Sequence, residues 1–177
     1  MGRVTIHHDH PFADPVDDPL RRFRGRLGGT VSLWTAGAGH ERAGLTVSSF
    51  VVARGEPGHV LGLLDPDSDL ARAALATGTA VVQLLEWQHR DLADEFAGVL
   101  PSPGGLFRSD PHRAEWQQTR WGPLLATAST WAGVRVRPGP QEVGWSVLVD
   151  GVVEHVEVGE ADAPLVHRRG RYERPKR

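Results

Sequence analysis

With 177 residues, 40% of them hydrophobic, the chain is long enough for one domain with a substantial core, and its composition excludes global disorder. The formal net charge of −2 gives nucleic-acid binding no overall support. The absence of cysteine excludes disulfides, thiolate catalysis and cysteine-ligated metal centres, and no apolar run is long enough to span a bilayer. We therefore expect a cytoplasmic protein that binds neither nucleic acid nor membrane.

The N-terminal residues differ in composition from the rest of the chain. Residues 1–16 are rich in His, Asp and Pro and show no sustained periodicity, which predicts a flexible extension before a single domain over residues 17–177. The His-His-Asp-His segment at residues 7–10 contains side chains that bind metals. Clustered histidines in such a segment are more often a solvated tail, so we predict no metal site.

The first helix is predicted to begin at Asp18-Pro19, where Asp is a favourable N-cap and Pro a favourable first helical residue. It should end near Leu27, before Gly28-Gly29. Four arginines are close together within it. These arginines either attract phosphates or form a basic helix face in contact with solvent. The second interpretation is favoured. These residues are Arg21, Arg22, Arg24 and Arg26.

Residues 30–36 are β-branched and aromatic enough to form a strand, which should pair as a hairpin with the stretch that begins at Gly44. In that stretch, strand alternation places Thr46 and Ser48 on one face and Ser49 on the other, unless the strand bends there. Hydroxyls with a nearby arginine, Arg54, are suited to bind phosphate. A strand whose hydroxyls face water is the favoured interpretation of these residues alone.

Residues 59–65 form a nearly continuous apolar run, which predicts a strand covered on both faces. The following helix should be capped by Ser68 or Asp67 and end at Gly78. Because a helix N-terminus attracts anions, Ser68 is a candidate phosphate contact.

A further apolar strand over residues 79–85 is followed by helical spacing that ends at Gly98. His89 lies among polar residues there, so we expect it at the surface rather than in catalysis. The long loop that follows contains Trp116 and Trp121, which either cover a ligand or pack against the domain.

Three strand-like segments complete the chain, separated by turn signals at Pro138-Gly139-Pro140 and at Asp150-Gly151. The basic residues after His167 are too few to indicate RNA binding. About six or seven short strands with two or three helices predict a closed antiparallel barrel with helices at its edge.

Four motifs in this order resemble the flavin reductase-like family of FMN-binding split barrels, which includes the reductase components of two-component flavin monooxygenases. They are the first helix and strand, the GLTVSSF segment at residues 44–50, the helix that ends in Phe-Ala-Gly, and the PLVHRRGRY segment at residues 164–172. The resemblance covers roughly residues 18–172. It implies a mainly β fold, an antiparallel split β-barrel with a few peripheral helices.

The same resemblance implies an NAD(P)H-dependent flavin reductase that transfers hydride to FMN, with FAD as the alternative, and that uses NADH or NADPH as donor. It further implies a homodimer and a monooxygenase component as partner. No general base is assigned, because the redox chemistry belongs to the cofactors. The implied cofactor-binding residues are Thr46, Val47, Ser48, Ser49, Arg54, Ser68, His167 and Tyr172.

The chain departs from the family pattern at two places. Many relatives have Gly-Asp-His where this chain has Gly144-Trp145-Ser146, so an imidazole at that position is missing. Val52 and Arg54 stand where serines are common. Two alternatives therefore remain: a flavin-binding protein or oxidoreductase with another donor such as a deazaflavin, and a non-catalytic interaction protein.

Overall fold

A computed structural model describes residues 18–109, 114–160 and 163–174 of the chain. These residues form three α-helices and thirteen β-strands, and the longest connection lies between the third helix and the seventh strand. In chain order they are α1 (Pro19–Leu27), β1 (Gly29–Thr30), β2 (Ser32–Ala36), β3 (Ala43–Val47), β4 (Phe50–Ala53), β5 (His59–Leu64), α2 (Asp69–Thr77), β6 (Thr79–Leu84), α3 (Arg90–Phe96), β7 (Trp116–Gln118), β8 (Pro123–Leu125), β9 (Trp131–Val136), β10 (Gln141–Val143), β11 (Ser146–Glu157), β12 (Val166–Arg168) and β13 (Arg171–Glu173).

The centre of the fold is a curled antiparallel sheet in the order β3-β2-β6-β9-β11-β5-β4, with β10 paired to β11. Its two edge strands, β3 and β4, follow each other in the chain and are separated by a bend at Ser48-Ser49. This arrangement confirms the mainly β split barrel expected from the resemblance. The bend places two hydroxyl residues where the edges of the sheet approach each other.

The barrel interior is filled by alternating apolar residues from the curled sheet, with Trp34 of β2 fully buried among them. A Cβ atom added to Gly62 would lie 2.6 Å from the Trp34 ring, so only glycine fits opposite the indole. Trp34 also contacts Phe50 in an edge-to-face arrangement with a centroid distance of 6.4 Å. These contacts fix β4 and β5 over the core and so position their outward-facing residues.

The two ends of the described chain meet beside the barrel. Asp18 caps α1 through its side chain, which accepts hydrogen bonds from the backbone of Leu20 and Arg21, and α1 ends at Gly28 as predicted. Immediately afterwards, β1 pairs with β12, and β12 pairs with β13 in a small three-stranded sheet. Helix α1 is therefore held next to the C-terminal hairpin, although none of its residues is buried.

Two expectations about strands were wrong. Asp150-Gly151 is not a turn, because β11 continues through it as one twelve-residue strand. A Cβ atom at Gly151 would lie 2.8 Å from Cγ2 of Val134, so the glycine is needed for close packing between β11 and β9. Strand β5 is buried on one face only, since Leu63 on the other face is exposed.

His89, expected at the surface, is only 4% exposed. Its Nδ1 accepts a hydrogen bond from the Glu86 backbone at 3.1 Å, so the neutral ring carries its proton on Nε2, which lies 2.9 Å from Oγ1 of Thr127. Burial lowers the pKa of His89 below its usual value, with the carboxylate of Glu86 opposing the effect. The histidine is a structural residue that joins two loops.

The two tryptophans of the long loop pack against the domain rather than over an open site. Trp116 contacts Phe96 and Phe107, with centroid distances of 5.7 and 4.9 Å. Trp121 stacks on His155, with the ring centroids 5.4 Å apart. Their packing makes the loop part of the domain surface.

Some expectations lie outside the described residues, among them the extension over residues 1–16 and its histidine segment. Within the described ranges, no helix is long and apolar enough to cross a membrane. The same ranges contain no group of three or more His, Asp and Glu side chains arranged to hold a metal ion.

Candidate functional site

A groove of about 1550 Å³ runs between α1 and the outward face of the barrel. Small-molecule sites in proteins are usually about 300–1,000 Å³, so this groove has room for a large ligand. Apolar residues, hydroxyls and arginines make up most of its side-chain lining, together with one carboxylate and one imidazole. The lining residues are Asp18, Arg21, Arg22, Arg24, Gly25, Arg26, Leu27, Gly28, Gly29, Thr30, Ser48, Ser49, Phe50, Val51, Val52, Leu61, Leu63, Val143, Leu148, His167, Arg168, Arg169 and Gly170.

The floor of the groove is apolar because of strand alternation in β5. Every second residue of β5 faces the core, which leaves Leu61 and Leu63 on the outward face. Leu61 pairs with Val51 of β4, and Leu63 pairs with Leu148 of β11. Cross-strand partners share a face, so these residues form a continuous apolar surface. Such a surface is suited to a flat aromatic ring.

Two of the three hydroxyl residues in the lining are at the bend between β3 and β4, and the third is Thr30 of β1. Because β3 ends at Val47, Ser48 and Ser49 leave the strand and both line the groove. The Ser49 hydroxyl donates to the Leu63 carbonyl at 2.9 Å, and the Ser49 carbonyl accepts from the Leu63 amide at 2.9 Å. A Cβ atom at Gly29 would lie 3.1 Å from the Ser48 carbonyl, so the C-terminal end of α1 leads directly to the bend.

The third part of the lining is an arginine wall, which we define as Arg21, Arg24, Arg26, Arg168 and Arg169. The first three are on α1, Arg168 is the last residue of β12, and Arg169 follows it in the turn to β13. Arg169 adopts a left-handed backbone conformation, with φ of 52°, beside Gly170. The single carboxylate in the described lining is Asp18, which caps α1. The groove is therefore strongly cationic on one side.

His167 lies on β12 at the inner side of the groove and is half-buried. Burial lowers the pKa of His167 below its usual value; the carboxylate of Asp94 opposes this effect and the charge of Arg24 adds to it. The Tyr172 ring packs edge-to-face against His167, with the centroids 5.7 Å apart. The Tyr172 hydroxyl donates to Asp94 at 2.8 Å, and burial together with this bond raises the pKa of Tyr172. Tyr172 thus packs against the His167 imidazole and helps to fix its position.

Of the residues implied by the resemblance, Ser48, Ser49 and His167 come together in the groove. Thr46 was expected to share a face with Ser48, but the bend separates them, and the Thr46 hydroxyl donates to the Ala93 carbonyl at 2.7 Å. Val47 is buried in the core.

Two further candidates lie outside the lining. Arg54 is exposed in the turn between β4 and β5. Ser68 caps α2 as predicted: its hydroxyl accepts from the Ala71 amide at 3.2 Å and donates to the Asp65 carbonyl at 2.6 Å. A contact of either residue with phosphate stays a prediction.

Sequence reasoning did not find the floor of the groove or the contribution of the C-terminal turn. The floor arises from alternation in β5, which a nearly continuous apolar segment conceals. The basic residues of α1 were recognised but interpreted as a solvated face, because their position opposite Arg168 and Arg169 depends on the pairing of β1 with β12. The sequence signal was the unusual density of arginine in one short helix.

The hairpin that joins β10 to β11 lies at the rim of the groove. Val143 lines the groove and pairs with Ser146, and Gly144 and Trp145 form the turn, where Gly144 has φ of 60°. Trp145 is 97% exposed. The residues that replace the common Asp-His pair are thus an indole in solvent and a short hydroxyl.

Together these features define a split-barrel protein whose groove fits an aromatic ligand that carries phosphate. A family model described as the flavin reductase like domain matches residues 24–176. The chain belongs to this family, which confirms the resemblance and the expected enzyme class, an oxidoreductase of the flavin reductase type. None of the curated proteins gives a significant match.

Solved structures with the same fold include flavin reductases. The NADH:FAD oxidoreductase SgcE6 of Streptomyces globisporus C-1027 is 26% identical with a TM-score of 0.78, and the alignment covers 93% of this chain and 96% of that one. Flavin reductase PheA2 is 20% identical with a TM-score of 0.78, over 92% and 100% of the two chains. BorF, the flavin reductase component of a bacterial two-component tryptophan halogenase, is 22% identical with a TM-score of 0.73, over 89% and 98%.

Proposed function

We propose that this protein is an NAD(P)H-dependent flavin reductase that binds FMN or FAD in the groove. The observation that carries the proposal is the combination of an apolar floor, two hydroxyls and an arginine wall in one groove of a family member. The SgcE6 relative, which is named an NADH:FAD oxidoreductase and has also been solved with NAD and FAD fragments, supports both cofactors.

The groove fits a flavin by the chemistry of its donors. Leu61, Leu63 and Leu148 offer an apolar surface for the isoalloxazine ring, and Ser48 and Ser49 offer hydrogen bonds to the ribityl chain. The arginine wall offers charge-assisted hydrogen bonds to phosphate. Bound flavin would supply the redox chemistry by accepting a hydride from the nicotinamide, and the protein would hold and orient the reactants.

The protein's own residues have distinct roles in this proposal. His167, held neutral by burial, donates or accepts a hydrogen bond at the groove without adding a further cation beside Arg24. Tyr172 packs edge-to-face against the His167 ring and is itself held by the hydrogen bond from its hydroxyl to Asp94. Thr46 and Val47 anchor the strand before the bend, and Arg54 and Ser68 are proposed as outer phosphate contacts.

The proposal includes a homodimer. Three apolar side chains on α1, Leu20, Phe23 and Leu27, are 75%, 62% and 67% exposed, and Val51 and Val52 of β4 are similarly exposed. A second copy that covers this surface would bury apolar area and complete the rim of the groove. Light scattering at micromolar concentration should give the mass of a dimer, and a monomer would contradict this part of the proposal.

We further propose that residues 17–177 form the domain after an extension over residues 1–16, and that the protein works in the cytoplasm, where its nicotinamide donor is present. We also propose that the reduced flavin is used by a monooxygenase component. The named roles of BorF and of nitrilotriacetate monooxygenase component B, a structure of similar fold, support the partner. Oxygenase activity that depends on added reductase would test it.

The direct test is an absorbance titration. Purified protein is mixed with FMN or FAD, and NADH and then NADPH are added without oxygen. We expect a shifted flavin spectrum on binding and bleaching of the flavin bands by at least one nucleotide. Failure of both flavins to bind would overturn the proposal.

A second candidate is a flavin-binding oxidoreductase with another donor, such as a deazaflavin. The observation that favours it is Trp145-Ser146, since the exposed indole and the serine cannot replace an imidazole at the rim. Bound flavin that neither nucleotide reduces would support this candidate. In that case, reduction by NADH after the double substitution Trp145→Asp with Ser146→His would identify these two positions as the cause. Membership in an oxidoreductase family counts against the non-catalytic alternative.

A further inference from the structure

We propose that the arginine wall binds the pyrophosphate of FAD, so that the groove prefers FAD to FMN. This inference rests on the proposed flavin reductase function and assigns its flavin. FMN has one phosphate group, whereas FAD has two linked phosphates and an adenosine. The structural question is whether the groove contains more cationic surface than one phosphate requires.

The charge of the groove exceeds that requirement. Five guanidinium groups form the wall, against one lining carboxylate, Asp18, whose Oδ1 already accepts from two backbone amides. The whole chain has 20 basic and 22 acidic residues, so the local excess does not reflect its overall composition. One phosphate is bound well by a bidentate arginine and a few hydroxyls. The remaining guanidiniums indicate a second anionic group.

The arginines of the wall have few carboxylate partners. Within the described residues, Arg21, Arg24, Arg26 and Arg169 form no ion pair, and Arg168 has a single exposed contact with Glu173 at 3.4 Å. Outside the wall, Arg72 and Arg135 are paired with carboxylates, whereas the isolated Arg54 has no ion pair with a described residue. Neighbouring guanidiniums without carboxylates repel one another, and a bound polyanion removes that repulsion.

The wall extends away from the hydroxyls along α1. Gly29 approaches the Ser48 carbonyl, so Arg26 is at the hydroxyl end of the helix and Arg21 is at the far end. The nine residues of α1 span about 13 Å at the usual helical rise. A ligand whose ring lies on the apolar floor and whose ribityl chain passes the serines would therefore meet cations over a distance longer than one phosphate.

The field of the wall reaches the inner side of the groove. The positive charge of Arg24 contributes to the lowered pKa of His167, after burial, which is the larger cause. Arg24 and the His167 segment therefore act on the same space. This supports one continuous site rather than a basic helix that faces only solvent.

The test is a set of binding titrations on the full-length protein with riboflavin, FMN, FAD and ADP at low and moderate salt. We expect FAD to bind about tenfold more tightly than FMN, with a steeper salt dependence, and ADP to compete with FAD. The variant Arg21→Gln with Arg24→Gln, which keeps Arg26 at the hydroxyl end of the wall, should lose most of this FAD preference while its FMN affinity changes by less than about threefold. Replacement of both residues by lysine should restore part of the preference, because the charge remains.

The matched control is Arg72→Gln with Arg135→Gln, which removes two exposed, ion-paired arginines outside the groove. Circular dichroism confirms folding of each variant. The control should keep the full preference of the unsubstituted protein for FAD.

Equal affinities for FMN and FAD would overturn the inference and leave the flavin reductase proposal standing. A preference that survives in Arg21→Gln with Arg24→Gln would overturn its assignment to the wall. Equal flavin affinities together with a raised KM for NADH in that variant would assign the wall to the nicotinamide dinucleotide instead of FAD. If no flavin binds, riboflavin included, both the inference and the proposed function fail.

Discussion

Two polar regions of this protein differ in how their hydrogen-bonding groups are satisfied. In the interior, the Gln83 side chain accepts from the Leu125 amide at 2.7 Å and donates to Oγ1 of Thr35 and to the Pro123 carbonyl, at 3.1 and 3.3 Å. The amide nitrogen and the amide oxygen of Gln83 are therefore both paired with protein groups. In the groove, by contrast, Ser48 is exposed and the arginine wall has almost no carboxylate opposite it.

The difference distinguishes polar groups that stabilise the fold from polar groups that are available to bind a ligand. A buried polar group contributes to stability when it is fully satisfied, and its loss leaves a partner without a hydrogen bond. A polar group in an open groove loses little when it is replaced, unless something binds there. Substitutions in the first region should therefore change stability, and substitutions in the second should change affinity.

The largest expected effect is from Gln83→Leu in the interior. The similar-sized apolar side chain leaves the buried Leu125 amide without an acceptor, which should lower the free energy of unfolding by about 2–3 kcal/mol. Urea denaturation measures this change, and flavin affinity should remain normal in the folded fraction. A stability loss below about 0.5 kcal/mol would show that the closed network is not structural.

His89 extends the comparison to pH. Because burial lowers the pKa of His89 below its usual value of about 6.5, the unfolded chain binds the proton more readily, and stability should fall as the pH drops below about 6.5. Replacement His89→Gln should cost about 1–2 kcal/mol at neutral pH through lost hydrogen bonds and should flatten the decline between about pH 7 and pH 5. Thermal melts of both proteins across this range test the prediction. An unchanged pH slope would contradict it.

Within the groove, Ser48→Ala should weaken flavin binding by about 1 kcal/mol, or about fivefold, while stability stays within about 0.5 kcal/mol. Calorimetric titration with flavin and urea denaturation give the two numbers. Ser129→Ala is a suitable control, since its hydroxyl bonds to Oε1 of Glu86 at 3.0 Å, away from the groove lining. Unchanged affinity in Ser48→Ala would remove this hydroxyl from the site.

The smallest expected effect is from Trp145→Ala, because the indole contributes little to folding while it is 97% exposed. Stability should change by less than about 0.5 kcal/mol. A larger loss, measured by urea denaturation, would show that this indole packs against the protein in solution.

Local signals in the sequence predicted much of the fold. Asp18-Pro19 and Gly28 bounded α1, and Ser68 with Gly78 bounded α2, because helix caps depend on neighbouring residues. Asp150-Gly151 wrongly indicated a turn. The glycine is required because Val134 on the neighbouring strand packs closely against it. Packing partners that are distant in sequence leave no local pattern.

The site was also predictable only where neighbouring residues in the sequence determine it. The GLTVSSF and PLVHRRGRY segments indicated the family, and Ser48, Ser49 and His167 do line the groove. Thr46 shows where strand alternation failed, because the chain bends one residue after Val47. The burial of His89 depends on Thr127 in a later loop, which the polar residues around it in the sequence do not reveal.

The pairing of β1 with β12 has a consequence for synthesis of the protein. Gly29 pairs with His167, so the arginines of α1 are made first and their opposite side is made last. During translation, the barrel strands up to β11 emerge while the groove still lacks its C-terminal hairpin. The groove is therefore completed only after β12 and β13 have left the ribosome, and a nascent chain truncated before Leu165 would have a barrel but no finished groove.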